Sequence, residues 1–159
     1  MKPHLAAALT LALASSAFAG PPALRGGTPG EWEALFREGV PDSSPVGPTR
    51  GTVLYADDAL FPRVKARLQG AVWKGKIFHG DGTFTNRWVG GIRAGNAGTG
   101  VEPSWLDGQP SLTVNYPPTA LVFRNVRDEL RQVAPGVWLG RSYNATTGRP
   151  KNWFMLEAR

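Results

Sequence analysis

From Gly51 onward the chain is cut into short β-like segments by closely spaced turn signals, and this punctuation limits the fold more than any other feature. His79-Gly80-Asp81-Gly82, Asp107-Gly108, Ala134-Pro135-Gly136 and the loop Thr146 to Pro150 are each rich in residues that turn the backbone. The segments between them carry period-two alternation or β-branched and aromatic residues. Thr52 to Tyr55, Ala71 to His79, Thr83 to Arg93, Ser111 to Tyr116, Val137 to Asn144 and Trp153 to Ala158 read as strands. In the third of these, Phe84, Trp88 and Ile92 share one face, opposite Thr85, Arg87 and Arg93. In the fourth, Leu112, Val114 and Tyr116 share a face, and Pro117-Pro118 stop the strand. Leu121 to Val133 is ambiguous: Leu121-Val122-Phe123 reads as strand, whereas Val126, Leu130 and Val133 have helical spacing. Asp57 to Leu68 is expected to be a helix capped by Asp57, with Leu60, Val64 and Leu68 at i, i+4 and i+8. Ala94 to Gly100 reads as a glycine-rich loop without the lysine and helix that would make it a phosphate cradle. A chain of 159 residues suits one domain. The expected architecture is mainly β, an antiparallel barrel of about seven or eight strands with one or two short helices.

The first residues have a different character. Lys2 is followed by the apolar run Leu5 to Ala14, and Ala17 and Ala19 supply the small residues of a signal-peptidase site. Residues 1–19 are read as an export signal cleaved before Gly20; the run is too short for a transmembrane span, and no other apolar stretch is long enough. A secreted or periplasmic product without a transmembrane segment is expected. Residues 20–50 form a Pro/Gly-rich leader with one helical island, Glu31 to Arg37. Thr28 is its expected N-cap and Pro29 its first residue. Trp32, Leu35 and Phe36 lie on one face of that helix, which is expected to dock on the barrel of residues 51–159.

Trp73-Lys74-Gly75-Lys76-Ile77-Phe78 resembles the W-x-G-K-x-F strand of small lipocalin-like domains of unknown function, the GXWXG-type proteins. The run Arg124 to Gly140 is similar to the strand, turn and strand ending in Leu-Gly of the same proteins, with Ser104 to Gly108 and Tyr116 in order between them. The resemblance covers Gly51 to Arg159. The literal GxWxG here, Gly136 to Gly140, sits near the end of the domain, whereas the name-giving motif belongs near its start. What the resemblance implies is a calycin-like barrel in which Leu121 to Val133 is strand.

Composition removes chemistries. There is no cysteine, so disulfides, thiolate metal sites and cysteine nucleophiles are excluded. Only His4 and His79 are present, too few for zinc sites or most triads. His79, beside a turn, reads as a surface residue in preference to a haem ligand, and neither Asp57-Asp58 nor Asp81 has calcium-loop spacing. No metal or cofactor is expected. The net charge of +6 comes from scattered basic residues, which fits an anionic envelope surface better than nucleic acid.

Six tryptophans and seven phenylalanines either fill a barrel or line a cavity within it. The densest charge cluster lies between Arg124 and Arg131. As a strand it puts Arg127, Glu129 and Arg131 on one face and Arg124 and Asp128 on the other. The arginine face either points inward to grip a carboxylate with Tyr116 or forms an outward ion-pair ladder. The leading expectation is a non-catalytic protein that binds a small apolar or amphipathic molecule. Trp73, Phe78, Trp88, Tyr116 and Tyr143 would line the pocket, and Arg127 or Arg131 would hold an acidic head group. The alternatives are a cyclase or isomerase with Tyr116 and Asp128 as acid and base, and an interaction module acting through the leader.

Overall fold

A computed structural model describes residues 24–41, 44–117, 120 and 122–159. The expected export signal, and Pro118 and Leu121, lie outside the described residues. The chain is mainly β. Eight strands, β1 (Gly47–Ala56), β2 (Trp73–Phe78), β3 (Thr83–Trp88), β4 (Arg93–Pro103), β5 (Pro110–Asn115), β6 (Val126–Ala134), β7 (Val137–Asn144) and β8 (Pro150–Ala158), close into an antiparallel barrel in sequence order. β1 closes it by pairing with β8, Thr49 opposite Ala158 and Ala56 opposite Asn152. Among the described residues no helix is long and apolar enough to cross a membrane.

The two helices, α1 (Pro29–Glu38) and α2 (Pro62–Val72), behave differently. In α1, Thr28 and Glu31 form a capping box and Pro29 opens the first turn, as the sequence leads one to expect. Trp32 and Phe36 are buried on the outside of the barrel, where both rings meet Trp153 of β8. Truncating either aromatic in such a setting costs about 3–5 kcal/mol, so α1 is firmly held.

α2 starts later than expected. Asp57 does not cap it, because its carboxylate is taken by Arg141 (2.7 and 3.1 Å), and Pro62 sets the first turn instead. Small Ala66 faces the barrel, while Leu60, Val64 and Leu68 point outward, the last two 56% and 66% exposed. The apolar stripe therefore lies on the outer face of the helix.

Two further expectations are corrected. The strand Thr83 to Arg93 ends at Trp88, where a 3-10 turn at Val89–Gly91, with Gly90 and Gly91 in the left-handed region, reverses the chain; Ile92 is exposed and does not join Phe84 and Trp88. The supposed glycine-rich loop is the body of β4, with Ala97 opposite Phe84 and Gly98 opposite Thr83. Gly95 serves a close approach: a Cβ there would lie 2.8 Å from the Phe123 ring, and its φ is +77°. Leu121 to Val133 resolves into a turn over residues 122–125 and then strand from Val126.

Because consecutive strands alternate in direction, the connections after β1, β3, β5 and β7 all emerge at one end of the barrel. Toward the other end the interior is packed by Phe78, Phe84, Leu112, Leu130, Trp138 and Leu156. The barrel is thus half filled.

Candidate functional site

A cavity of about 200 Å³ occupies the unfilled half, beneath α2 and the β5–β6 connection. Its position follows from strand parity, broken once by a bulge between Trp73 and Gly75. Inward residues near the open ends of β2, β3, β6 and β7 are Trp73 and Lys76, Asn86 and Trp88, Asp128, and Ser142. Trp88, Phe123 and Tyr116 form one aromatic wall, with Phe123 stacked between the other two at 5.7 and 5.2 Å. Trp73 packs edge-on against Phe154. Gln69 and Val72 of α2 form part of the rim, with Lys151 of β8. Since 150 Å³ is enough for benzene, this space suits a compound of one or two fused rings.

The inner end of the cavity is polar. Lys76 is almost fully buried, and its ammonium donates to Asp128 (3.0 Å), Asn86 Oδ1 (3.1 Å) and the Tyr116 hydroxyl oxygen (2.9 Å). It also sits 4.4 Å from the Phe84 ring centroid. Asn86 is fixed on all sides: Oδ1 also accepts from Trp73 Nε1, and Nδ2 donates to Gly95 O and to Tyr116. Asp128 accepts Lys76 on one oxygen and the Ser142 hydroxyl, at 2.5 Å, on the other. Burial pulls the Lys76 ammonium toward the neutral form, but the hydrogen-bonding Tyr116 hydroxyl and the Asp128 carboxylate outweigh it and hold its pKa above the ordinary value. Burial also raises the Tyr116 phenol, and Asp128 adds to that rise against the opposing pull of Lys76. A charged lysine and a neutral tyrosine result at neutral pH.

Of the residues expected in the pocket, Trp73, Trp88 and Tyr116 line it, as does Asp128. Phe78 faces inward but belongs to the packed half, 5.6 Å from Phe84. Arg127, Arg131 and Tyr143 do not reach the cavity, because odd-numbered residues of β6 and β7 face outward, opposite Asp128 and Ser142. Arg127 is bound to Glu102 (2.6 Å) and Glu129 (2.9 Å) above the Trp105 ring. Arg131 grips Asp107 with two 2.8 Å bonds and donates to Phe36 O near the end of α1. Tyr143 lies against Trp105, and burial, followed by the charge of Glu129, raises its pKa to about 12. His79 is exposed and bonds to Thr85.

The sequence reading passed over Lys76, Asn86, Phe123 and Gln69. For the first two a signal existed: Lys76 shares strand parity with Phe78, and Asn86 stands between Phe84 and Trp88 on the face already recognised as apolar. A polar residue on an apolar strand face must find a buried partner, and these two found each other.

No family model and no curated protein matches the chain. One solved structure does, a protein from Thermomonospora curvata, at a TM-score of 0.62 and 18% identity, over 86% of this chain and 91% of that one. The similarity is one of fold.

Proposed function

We propose that this protein binds a small apolar or amphipathic molecule in the open half of its barrel and does not catalyse a reaction on it. The carrying observation is the cavity itself, walled by Trp88, Phe123 and Tyr116 and ended by a buried polar cluster. Such a combination gives affinity through apolar area and orientation through a few fixed polar groups. The polar anchor is Tyr116, held by Lys76 and Asn86, in the place of Arg127 or Arg131. Membership of the GXWXG-type proteins and delivery outside the cytoplasm remain part of this reading, carried by the strand motif at Trp73 to Phe78 and by residues 1–19.

The test is native purification followed by denaturing extraction and mass spectrometry, then calorimetric rebinding of the recovered compound. Trp88→Ala is expected to weaken rebinding at least about tenfold, since a large aromatic wall is lost. Unchanged affinity in a folded variant would overturn the assignment of this cavity.

One observation favours a second reading, a cyclase or isomerase: Tyr116 and Asp128 reach the same cavity, joined through Lys76. Both Asp128 oxygens are engaged, however, by Lys76 and the Ser142 hydroxyl. If the recovered compound were turned over by the wild type and not by Asp128→Asn, the enzymatic reading would replace the binding one.

A further inference from the structure

We infer that the ligand is a neutral, flat compound that places a carbonyl-type oxygen against Tyr116 and carries a hydroxyl or N–H group toward Gln69. The inference rests on the pocket reading above and names the chemistry that the pocket selects. It comes from following every polar hydrogen at the inner end of the cavity. An ammonium has three hydrogens, and those of Lys76 go to Asp128, Asn86 and Tyr116. The Asn86 amide has two, and they go to Gly95 O and Tyr116. Both groups can only donate to the Tyr116 oxygen, because an ammonium has no acceptor and the Asn86 oxygen is already turned toward Trp73 and Lys76. The Tyr116 oxygen therefore receives two bonds, and its own hydrogen has no acceptor among the described residues. That hydrogen is a donor available to whatever enters the cavity.

Gln69 offers the complement. Its Oε1 is buried and has no donor among the described residues, and the side chain lines the same cavity from α2. One free donor and one free acceptor, in a cavity with an aromatic wall, describe a ligand with an acceptor, a flat apolar body and a donor. Charge decides between a carbonyl and a carboxylate. The Lys76 ammonium is already matched by Asp128, so a second carboxylate at the inner end would face a site with no charge left to balance it. A carboxylate could be balanced only at the rim, beside Lys151.

The experiment uses the full chain, freed of bound material, and four probes that fit about 200 Å³: indane, 1-indanone, 5-hydroxy-1-indanone and indane-1-carboxylate. Calorimetry is expected to give 1-indanone at least about tenfold over indane, because the hydrocarbon leaves the buried hydroxyl unpaired. The hydroxy ketone should gain about a further threefold, and Gln69→Leu should remove that gain alone. Tyr116→Phe should bring 1-indanone down to the level of indane. Equal binding of indane and 1-indanone by the wild type would overturn this inference and leave the pocket standing, a result that needs no variant to fold. Binding of none of the four at millimolar concentration would overturn the pocket reading itself. A tenfold preference for the carboxylate that survives Lys151→Ala would overturn the neutral class.

Discussion

The two faces of β6 both carry buried charge, three groups outside and Asp128 alone inside, and do different things with it. On the outer face Arg127, Glu129 and Arg131 are sealed beneath the segment from Ser104 to Gln109 and the end of α1, and their partners are fixed protein groups. On the inner face Asp128 meets Lys76 at the end of a cavity, and the network stops short of satisfying itself at Tyr116. Both faces contain buried ion pairs, so an ion pair alone does not mark a site. What distinguishes the inner one is access: its cluster ends at a cavity, whereas the Tyr143 hydroxyl and Arg141 Nε on the outer side, also buried without partners among the described residues, do not line it. A closed network contributes to architecture, whereas an open one has capacity for a guest.

Three substitutions press on that distinction. The largest effect is expected from Arg131→Met. It strands the Asp107 carboxylate, whose side chain is only 6% exposed, and releases the C-terminal end of α1, so urea unfolding should show a loss of about 3–5 kcal/mol. The affinity of 1-indanone for the folded fraction should change less than twofold; a larger change would join the two faces functionally and break the comparison.

A smaller effect comes from acid. The hydrogen bonds from Arg131 hold the Asp107 pKa below its ordinary 3.8, so the unfolded chain takes up that proton before the folded one does. The contribution is fully present above the ordinary value and fades as the pH falls through the lowered one. Asp107→Asn should therefore be less stable than the wild type by a constant amount from neutral pH to about 5, and the gap should narrow below about 4. A gap that stays constant down to pH 2 would show that Asp107 is not held in its charged form.

The smallest effect belongs to the rim of the outer network. Glu102 is 40% exposed and bonds to Arg127, which keeps Glu129 as its buried partner. Glu102→Gln should cost less than about 1 kcal/mol, as exposed pairs do. A larger loss in denaturant unfolding would extend the sealed region to the surface of β4.

Much of the fold was legible because it depends on local chemistry. Thr28 and Pro29 announce α1, Pro117 ends β5, and the limits of β7 follow from the turn at Pro135-Gly136 and the loop after Asn144. Where the reading went astray, a distant partner had taken over a local signal. Asp57 could cap a helix but is claimed by Arg141, and the glycines of β4 look like a loop until Phe123 is seen to lie against Gly95. The site was half legible for the same reason. Trp88, Tyr116 and Asp128 follow from parity along single segments, whereas Trp73 joins Lys76 and Phe78 on the inner face only through the bulge between Trp73 and Gly75. That the arginines face away from the cavity depends on which face of β6 is inside, and only the closed barrel decides that. Lys76 was hidden in a motif shared with Lys74, while the denser cluster from Arg124 to Arg131 drew more notice.

The pairing of β1 with β8 also governs how the molecule comes into being. Thr49 waits for Ala158, and Arg25 for Glu157, so neither seam nor strap can form on a partly made chain. Until the last strand arrives, β1 and β7 are open edges with unpaired backbone groups, ready to pair wrongly with a neighbour. Closing such distant ends comes at the slow end of the range for small domains, on the order of milliseconds to seconds. The cavity exists only after that step, because Asn152 and Phe154 of β8 form part of its wall. The cavity is therefore a property that the chain acquires all at once, at the end of folding.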